Sequence, residues 1–494
     1  MKRSPIRLSA RWLLVIGVVA ACLNGCMVGP DYREPKVPVP SHWQGLSATQ
    51  SNHAGIARSW WREYADPELD TLIHRALAAN LDLKRARARL REARVMLQAN
   101  RAALLPRVLA SLSANRGHAS ANAPGVSPFV QGGDLGSGDS AQNLFQAGFD
   151  ASWELDLFGG RRRAIEAAQA QVQGVAFERD AARLSLVAEV ARTYVDLRGC
   201  QAQLRRARDI AENRKTALDL TRARFSGGLS ADVALAEAEE RFRHAQAMVS
   251  PWQASCAQAS NRLSVLVGAD PGALTVELAA GNPLPVKMPP VVAGLPSDLL
   301  RRRPDIRSAE RQLAAETARI GVATARLYPD VTIGASSGLA SLAASDFFDP
   351  QSKIWAVGSS LTWPIFQRGK IRATIEVRDI QAQDALLAYR KTILTALEDV
   401  EDALAAYRAE RQRHVLLRAR WSASQRAYER ADALYKGGMT DFLGVLDRRQ
   451  RLLLARAELE RSTQAEWLDW IAIAKAVGGD CDSRSSSQSR PGQN

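Results

Sequence analysis

Phe145-Gln-Ala-Gly-Phe-Asp-Ala-Ser-Trp-Glu-Leu-Asp-Leu157 alternates without a break. Phe145, Ala147, Phe149, Ala151, Trp153, Leu155 and Leu157 fall on one side, and Gln146, Gly148, Asp150, Ser152, Glu154 and Asp156 on the other. A period of two marks a strand with one apolar and one polar face. Further along, Val357, Leu361, Trp363 and Ile365 alternate with Gly358, Ser360 and Thr362. Each stretch has a partner before it. Val331, Ile333, Ala335 and Leu339 alternate with Thr332, Gly334, Ser336 and Gly338; Val108, Ala110 and Leu112, less regularly, stand against Ser111, Ser113 and Asn115. Strands of roughly ten residues with small polar side chains on one face and aromatics near one end match those that cross a membrane. Four strands cannot close a barrel, and lipid does not tolerate an open sheet edge. Strands from other copies are therefore required, and three chains would supply twelve, enough to leave a lumen.

Outward from these strands the chain repeats. Leu81-Asp-Leu-Lys-Arg-Ala86 is echoed by Pro304-Asp-Ile-Arg-Ser-Ala309, and Leu105-Pro106 by Tyr328-Pro329, each 223 residues on. Trp153 and Trp363, Phe158 and Phe366, and Gly227-Gly228 and Gly437-Gly438 are 208 to 210 residues apart. The offset changes across the Gly- and Ser-rich stretch 117–140, so a tandem duplication whose copies differ chiefly in one loop accounts for the pattern. The first repeat is read as 66–284: a helix from Pro67 to Leu105, a strand hairpin at 107–157 and a helical hairpin at 160–268. The second is read as 295–478: a helix from Pro304 to Leu327, a strand hairpin at 330–365 and a helical hairpin at 367–477. A polar tail, 479–494, completes the chain. No proline lies between Pro128 and Pro251 or between Pro364 and Pro491. Helices from Gly160 to Arg224 and from Gln367 to Tyr435 are therefore expected, each roughly 100 Å long. Each meets a Gly-Gly turn and returns, as Ala231–Gly268 and Asp441–Val477. Helices of this length need partners, and a tube of helices projecting from the barrel supplies them.

The N-terminus sets the compartment. Lys2 to Arg11 form a basic segment, Trp12 to Leu23 an apolar run too short to span a bilayer, and small residues lead to Cys26. Residues 1–25 read as a secretory signal. Leu23-Asn-Gly-Cys26 resembles a bacterial lipobox, and Val19-Ala-Ala-Cys22 also fits. Cys26 is preferred because Met27-Val-Gly-Pro-Asp-Tyr32 comes directly after it, with an ordinary cleaved signal as the alternative. Residues 26–65 then form a lipidated N-terminal segment. Net charge is +14, and the signal carries Lys2, Arg3, Arg7 and Arg11 with no acid, leaving +10 for the remainder. That charge is interspersed with acids along helices, so a solvated surface is expected, not nucleic acid.

Cys26-Met-Val-Gly-Pro-Asp-Tyr32, Leu295-Pro-Ser-Asp-Leu-Leu-Arg-Arg-Arg-Pro-Asp-Ile-Arg307 and Tyr435-Lys-Gly-Gly-Met-Thr-Asp-Phe-Leu-Gly-Val-Leu-Asp447 together resemble the TolC-like outer-membrane factors, specifically the NodT/OprM-type efflux lipoproteins. The resemblance runs from Cys26 to about Val477. It implies a mostly α fold with transmembrane β: a homotrimeric channel-tunnel in the bacterial outer membrane, with a twelve-stranded barrel and a periplasmic helical tunnel. It also implies a covalent lipid on Cys26, a periplasmic adaptor, and an inner-membrane transporter of RND type that supplies the energy. The function implied is passive conduction of drugs or other small molecules. An outlet for a secretion system and a periplasmic coiled-coil lipoprotein are the alternatives.

Catalysis is not expected. Gly369-Lys370 has Pro364 where a phosphate loop needs glycine, the six histidines are scattered without HExxH spacing, and Gly136-Ser-Gly138 lacks a nucleophile-elbow frame. No metal and no cofactor beyond the lipid are expected. Phe225, Gly227, Gly228 and Leu229, with Tyr435, Gly437, Gly438 and Met439, form the two helical turns at which the resemblance places adaptor contact. Asp447 occupies the position of the family's acidic constriction, with Glu237 at the matching place in the first repeat; Gly444 stands where the TolC pattern has another acid. Cys200 and Cys256 sum to 456, close to the 455 expected of residues facing across a hairpin that turns at Gly227-Gly228. A disulfide and buried free thiols both fit that spacing.

Overall fold

The computed structural model describes residues 27–44, 59–118, 141–279, 282–291 and 293–479. The signal, Cys22, Cys26, most of the 117–140 loop and nearly all of the tail lie outside the described residues. The chain forms two compact units, each drawing on both repeats: the described parts of Met1–Glu34, Arg91–Gln173 and Arg311–Leu387, and those of Pro35–Leu90, Gly174–Glu310 and Ala388–Asn494.

The first unit carries β1 (Arg107–Gly117), β2 (Gln142–Leu155), β3 (Asp330–Ser341) and β4 (Lys353–Thr362), antiparallel in the order β1-β2-β3-β4. Register decides what the sheet presents. Val108 faces Ala151, Ala110 faces Phe149 and Leu112 faces Ala147. Trp153 then faces Ile333, Leu155 faces Val331, and Val331 faces Leu361. Cross-strand partners point to the same side, so the apolar alternations read strand by strand merge into one face. The opposite face gathers Ser111, Gly148, Asp150, Ser336, Gly338 and Ser360. None of the described residues covers the apolar face: Leu112 is 80% exposed, Trp355 77% and Leu361 66%. At one end of the sheet Trp153 and Trp363, equivalent in the two repeats, donate their indole N–H to the carbonyls of Leu104 and Leu327 at 2.9 and 3.1 Å.

The helices are α1 (Pro67–Ala79), α2 (Leu81–Ala102), α3 (Gly160–Ser226), α4 (Asp232–Ala247), α5 (Val249–Leu266), α6 (Pro296–Arg302), α7 (Pro304–Ala325), α8 (Arg368–Lys436) and α9 (Phe442–Ala476). α3 and α8 run uninterrupted for 67 and 69 residues. Two expected helices are instead broken. Pro67–Leu105 divides at Asn80, which leaves the helical region at ψ 131°. The Asn80 side chain accepts from the Leu83 amide and donates to the Leu266 carbonyl, so it caps α2 and ties it to the end of α5. Ala231–Gly268 divides at Met248, three residues before Pro251. Proline has no N–H to give the carbonyl of Ala247 and its ring crowds that carbonyl, so the helix restarts there.

The second unit has an aromatic core that the periodicity did not foretell. The turn Trp60–Tyr64 buries Trp60 and Tyr64 against α9: Tyr64 lies 4.6 Å from Trp467 and Trp60 5.8 Å from Trp470, centroid to centroid. Trp43 donates to the carbonyl of Gly294 at 2.9 Å. Asp66 caps α1 and accepts from the Tyr194 hydroxyl of α3 at 2.6 Å, while buried Arg198 joins Glu68 and the carbonyl of Leu278. Burial first, then the charge of Asp66, pushes the Tyr64 hydroxyl well above its ordinary pKa.

Candidate functional site

The two helical turns are copies of one another. At the end of α3 the Gly228 amide donates to the Phe225 carbonyl at 2.9 Å and the Leu229 amide to the Arg224 carbonyl at 2.8 Å. At the end of α8 the Gly438 amide donates to Tyr435 at 2.9 Å and Met439 to Leu434 at 2.9 Å. This paired bonding is the Schellman stop, whose C′ residue must adopt the left-handed conformation. Gly228 and Gly438 do so, at φ +72° and +73°. Among the described residues, no heavy atom beyond the glycine and its chain neighbours lies within 4 Å of where a Cβ would stand on either. Phe225 and Tyr435 are about two-fifths exposed, and Leu229 and Met439 nearly three-quarters. The four side chains therefore form two matched apolar pairs beside backbone that a partner can approach closely.

Nine residues beyond each turn stands the expected acid. Asp447 is half exposed and bonds Arg451 at 3.0 Å; Glu237 bonds Arg241 at 2.9 Å. Both pairs are spaced i,i+4 and occupy equivalent places in the two repeats. Neither acid is a bare carboxylate, a pairing the motifs alone did not single out. Arg214 of α3, also missed, feels one member of each pair: burial, then Arg241, pulls its pKa below the ordinary value, while Asp447 and the neighbouring Glu240 oppose the shift. The acids thus belong to a mixed cluster with at least three arginines from α3, α4 and α9. Only the helix register could have signalled Arg214.

α3 and α9 are held together along this stretch. Buried Asn213 donates to the Leu446 carbonyl at 3.0 Å and to Gln450 at 3.2 Å, and Gln203 donates to the Ala457 carbonyl at 2.8 Å. Further along α3, the structure joins Cys200 to Cys256 of α5 as a disulfide, Cα to Cα 5.5 Å. The break at Met248 leaves these two residues in register across the hairpin. Among the described residues no group of His, Cys, Asp and Glu is arranged to hold a metal ion, and no helix is long and apolar enough to cross a membrane.

An uncovered apolar sheet, together with very long helices stopped at glycine turns, marks the class as an outer-membrane channel protein. The chain belongs to the outer membrane efflux protein family, whose pattern matches residues 72–269 and 295–479. It is 32% identical to the pyoverdine export outer membrane protein OpmQ of Pseudomonas aeruginosa, across 94% of this chain and 96% of that protein. It is 29% identical to nodulation protein T of Rhizobium leguminosarum bv. trifolii, across 92% and 95%. The solved outer-membrane channel OprN superposes with a TM-score of 0.82 at 32% identity, covering 92% of this chain and 99% of that one. OpmQ is an export component and OprN a channel, and the fold expected of the chain, mostly helical with transmembrane strands, is the fold of OprN.

Proposed function

We propose that three copies of this chain close a twelve-stranded barrel in the outer membrane and form a passive exit duct for small molecules, including drugs. An RND-type inner-membrane transporter would deliver them through a periplasmic adaptor. The observation that carries the reading is the sheet: among the described residues its apolar side chains are bare, and β1 and β4 each leave one edge unpaired. Water penalises the first and lipid the second, and both are relieved when β4 of one copy pairs with β1 of the next inside a bilayer. The matched turns at Gly228 and Gly438 support adaptor docking, six tips to a trimer, because exposed apolar pairs beside glycine fit close contact with a partner helix. The Asp447–Arg451 and Glu237–Arg241 pairs near those turns form the constriction, and Cys26 carries the lipid that fastens the duct to the inner leaflet of the outer membrane. The test is purification in mild detergent and then planar-bilayer recording. A trimer with steady conductance is expected. Leu112→Arg and Trp355→Arg on the lipid face should each abolish membrane assembly, by about 2–4 kcal/mol per site near the bilayer middle. A monomer that remains in the soluble fraction would overturn the proposal.

A further inference from the structure

The segment after Cys26 is built into the first unit. The Val28 amide donates to the Phe158 carbonyl at 3.2 Å, where β2 passes into α3. Arg163, one turn into α3, is only 2% exposed. Its Nε donates to the Val28 carbonyl at 3.1 Å, and its Nη2 to the Gly29 carbonyl at 3.2 Å and to Asp31 at 2.7 Å. Glu166 takes the remaining bond at 2.8 Å. Three of these four bonds therefore go to the N-terminal strap, and a buried guanidinium that loses them is left with one partner.

The backbone is shaped to admit the strap. Gly29, at φ +90°, lies so close to α7 that a Cβ on it would fall 2.4 Å from the Cα of Gly321. A Cβ on Gly159, at φ +77°, would fall 2.9 Å from the Cα of Met27. Tyr32 closes the strap on Ala170, Ala314 and Ala315, with Arg311 5.4 Å over its ring. Met27, the first of the described residues, therefore stands directly against Gly159. That point lies at the aromatic end of the sheet. Phe158 stacks on Tyr328 at 4.6 Å there, and Trp363, Ile365 and Phe366 are exposed beyond it. Aromatic bands of this kind sit at the boundary between hydrocarbon and headgroups.

We propose that Arg163 is a latch that docks residues 27–32 at the β2–α3 junction and so fixes the site at which an acyl group on the preceding cysteine enters the bilayer, level with the aromatic band. The lipid is then held at a set depth and is not a free tether. The proposal rests on the reading of Cys26 as lipidated, and the experiment separates the two.

Full-length protein is expressed in cells fed a fatty acid bearing a photoreactive group and an alkyne. Membranes are irradiated and mapped, and parallel samples are treated with trypsin. In wild type, label on the N-terminal peptide should cross-link to peptides carrying Trp153 or Trp363, and cleavage after Arg33 should be slow. Arg163→Ala should cut that cross-link at least tenfold and speed cleavage after Arg33 at least tenfold, with acylation and trimer unchanged. Asp31→Ala, at a position 82% exposed, removes one latch bond without disturbing the interior and should shift both readouts the same way, several-fold. A Cys26→Ala protein exported by an ordinary cleavable signal should keep its strap as resistant as wild type. Unchanged cross-links and cleavage in both latch variants would overturn the latch. Rapid strap cleavage in Cys26→Ala would do the same, by showing that the lipid holds the strap. Absence of fatty-acid label from wild type would overturn the acylation reading instead, leaving the cleavage rates to judge the latch.

Discussion

Replacing Cys200 and Cys256 with serine opens a cross-link between residues 56 apart in sequence. In the chain-entropy picture, a loop of about that size removes about 14 cal/mol/K from the unfolded ensemble, or about 4 kcal/mol at 25 °C. The realised loss should be smaller. The hairpin already turns at Gly228 through two backbone bonds, and Arg262 of α5 donates to Glu189 of α3 at 2.8 Å, so α3 and α5 meet without the sulfurs. A loss of about 2 kcal/mol is the working figure, and at a few degrees per kcal/mol it lowers the apparent melting point by roughly 5 °C. The assay has two arms. Mass mapping without reductant should find one cross-linked peptide pair and no alkylation of either thiol. Melting of the detergent trimer at a fixed scan rate should show the double-serine protein below wild type. Reductant should bring wild type down to the variant and leave the variant unmoved. Both thiols alkylatable in protein purified under air, or identical melting without reductant, would refute the reasoning.

At the turns, Gly228→Leu and Gly438→Leu place a side chain in open space but in the left-handed region, at about 1–2 kcal/mol each. Trimers should survive and export should fail, measured as drug accumulation in intact cells; normal export from both variants would remove the turns from the docking surface. At the proposed constriction, Asp447→Asn should lower cation selectivity and divalent block in single-channel records, and Arg451→Gln, which unpairs the acid, should raise both. Invariant records would take Asp447 out of the pore. In the second unit, burial first, then Glu410 and Glu466, pushes Asp469 up to about 6. An acid with a raised folded pKa adds stability below its unfolded pKa and loses it as pH rises through the folded one. Wild type should therefore gain about 1 kcal/mol, after solvent screening, between pH 7.5 and 4 relative to Asp469→Asn. Parallel pH–melting curves for the two proteins would contradict this.

What was legible in the sequence was periodic. The period of two in Phe145–Leu157 and its counterparts predicted the strands, and the proline-free stretches predicted α3 and α8 to within two residues at either end. What escaped was set by contacts between distant segments. Nothing near Asn80 marks a break until the carbonyl of Leu266, 186 residues away, is there to take its amide. The aromatic core around Trp60, Tyr64, Trp467 and Trp470 is invisible for the same reason, since its members sit far apart in the chain and share no spacing rule. Arg163 reads as one more helix-surface arginine; only the strap laid across it makes it interior. Of the candidate site, the glycine turns were readable because positive φ restricts residue choice. The partners of the acids were not, since an i+4 arginine is ordinary on any helix.

The duplication also shows which parts of the site each copy preserves. Both repeats keep the Gly-Gly stop and the acid–arginine pair beyond it, at offsets of 210 residues. They differ at the residue that opens the returning helix. Asp441 caps α9, accepting from the Gly444 amide at 2.9 Å, and Arg224 reaches it from the other hairpin at 3.4 Å. Ala231, its counterpart, gives α4 no side-chain cap. An aspartate cap is worth about 1 kcal/mol and places negative charge at a helix N-terminus. The first tip has its own carboxylate, Asp232, one residue further on as the first residue of α4. The two tips thus share a backbone and a negative charge but not the cap. In a trimer, six tips alike in backbone would alternate in their helix cap, three and three. A partner that senses only the backbone meets sixfold quasi-symmetry, whereas one that senses the capping carboxylate meets threefold symmetry. Gly444 serves that difference: its amide is the donor that fixes the Asp441 carboxylate at the start of α9.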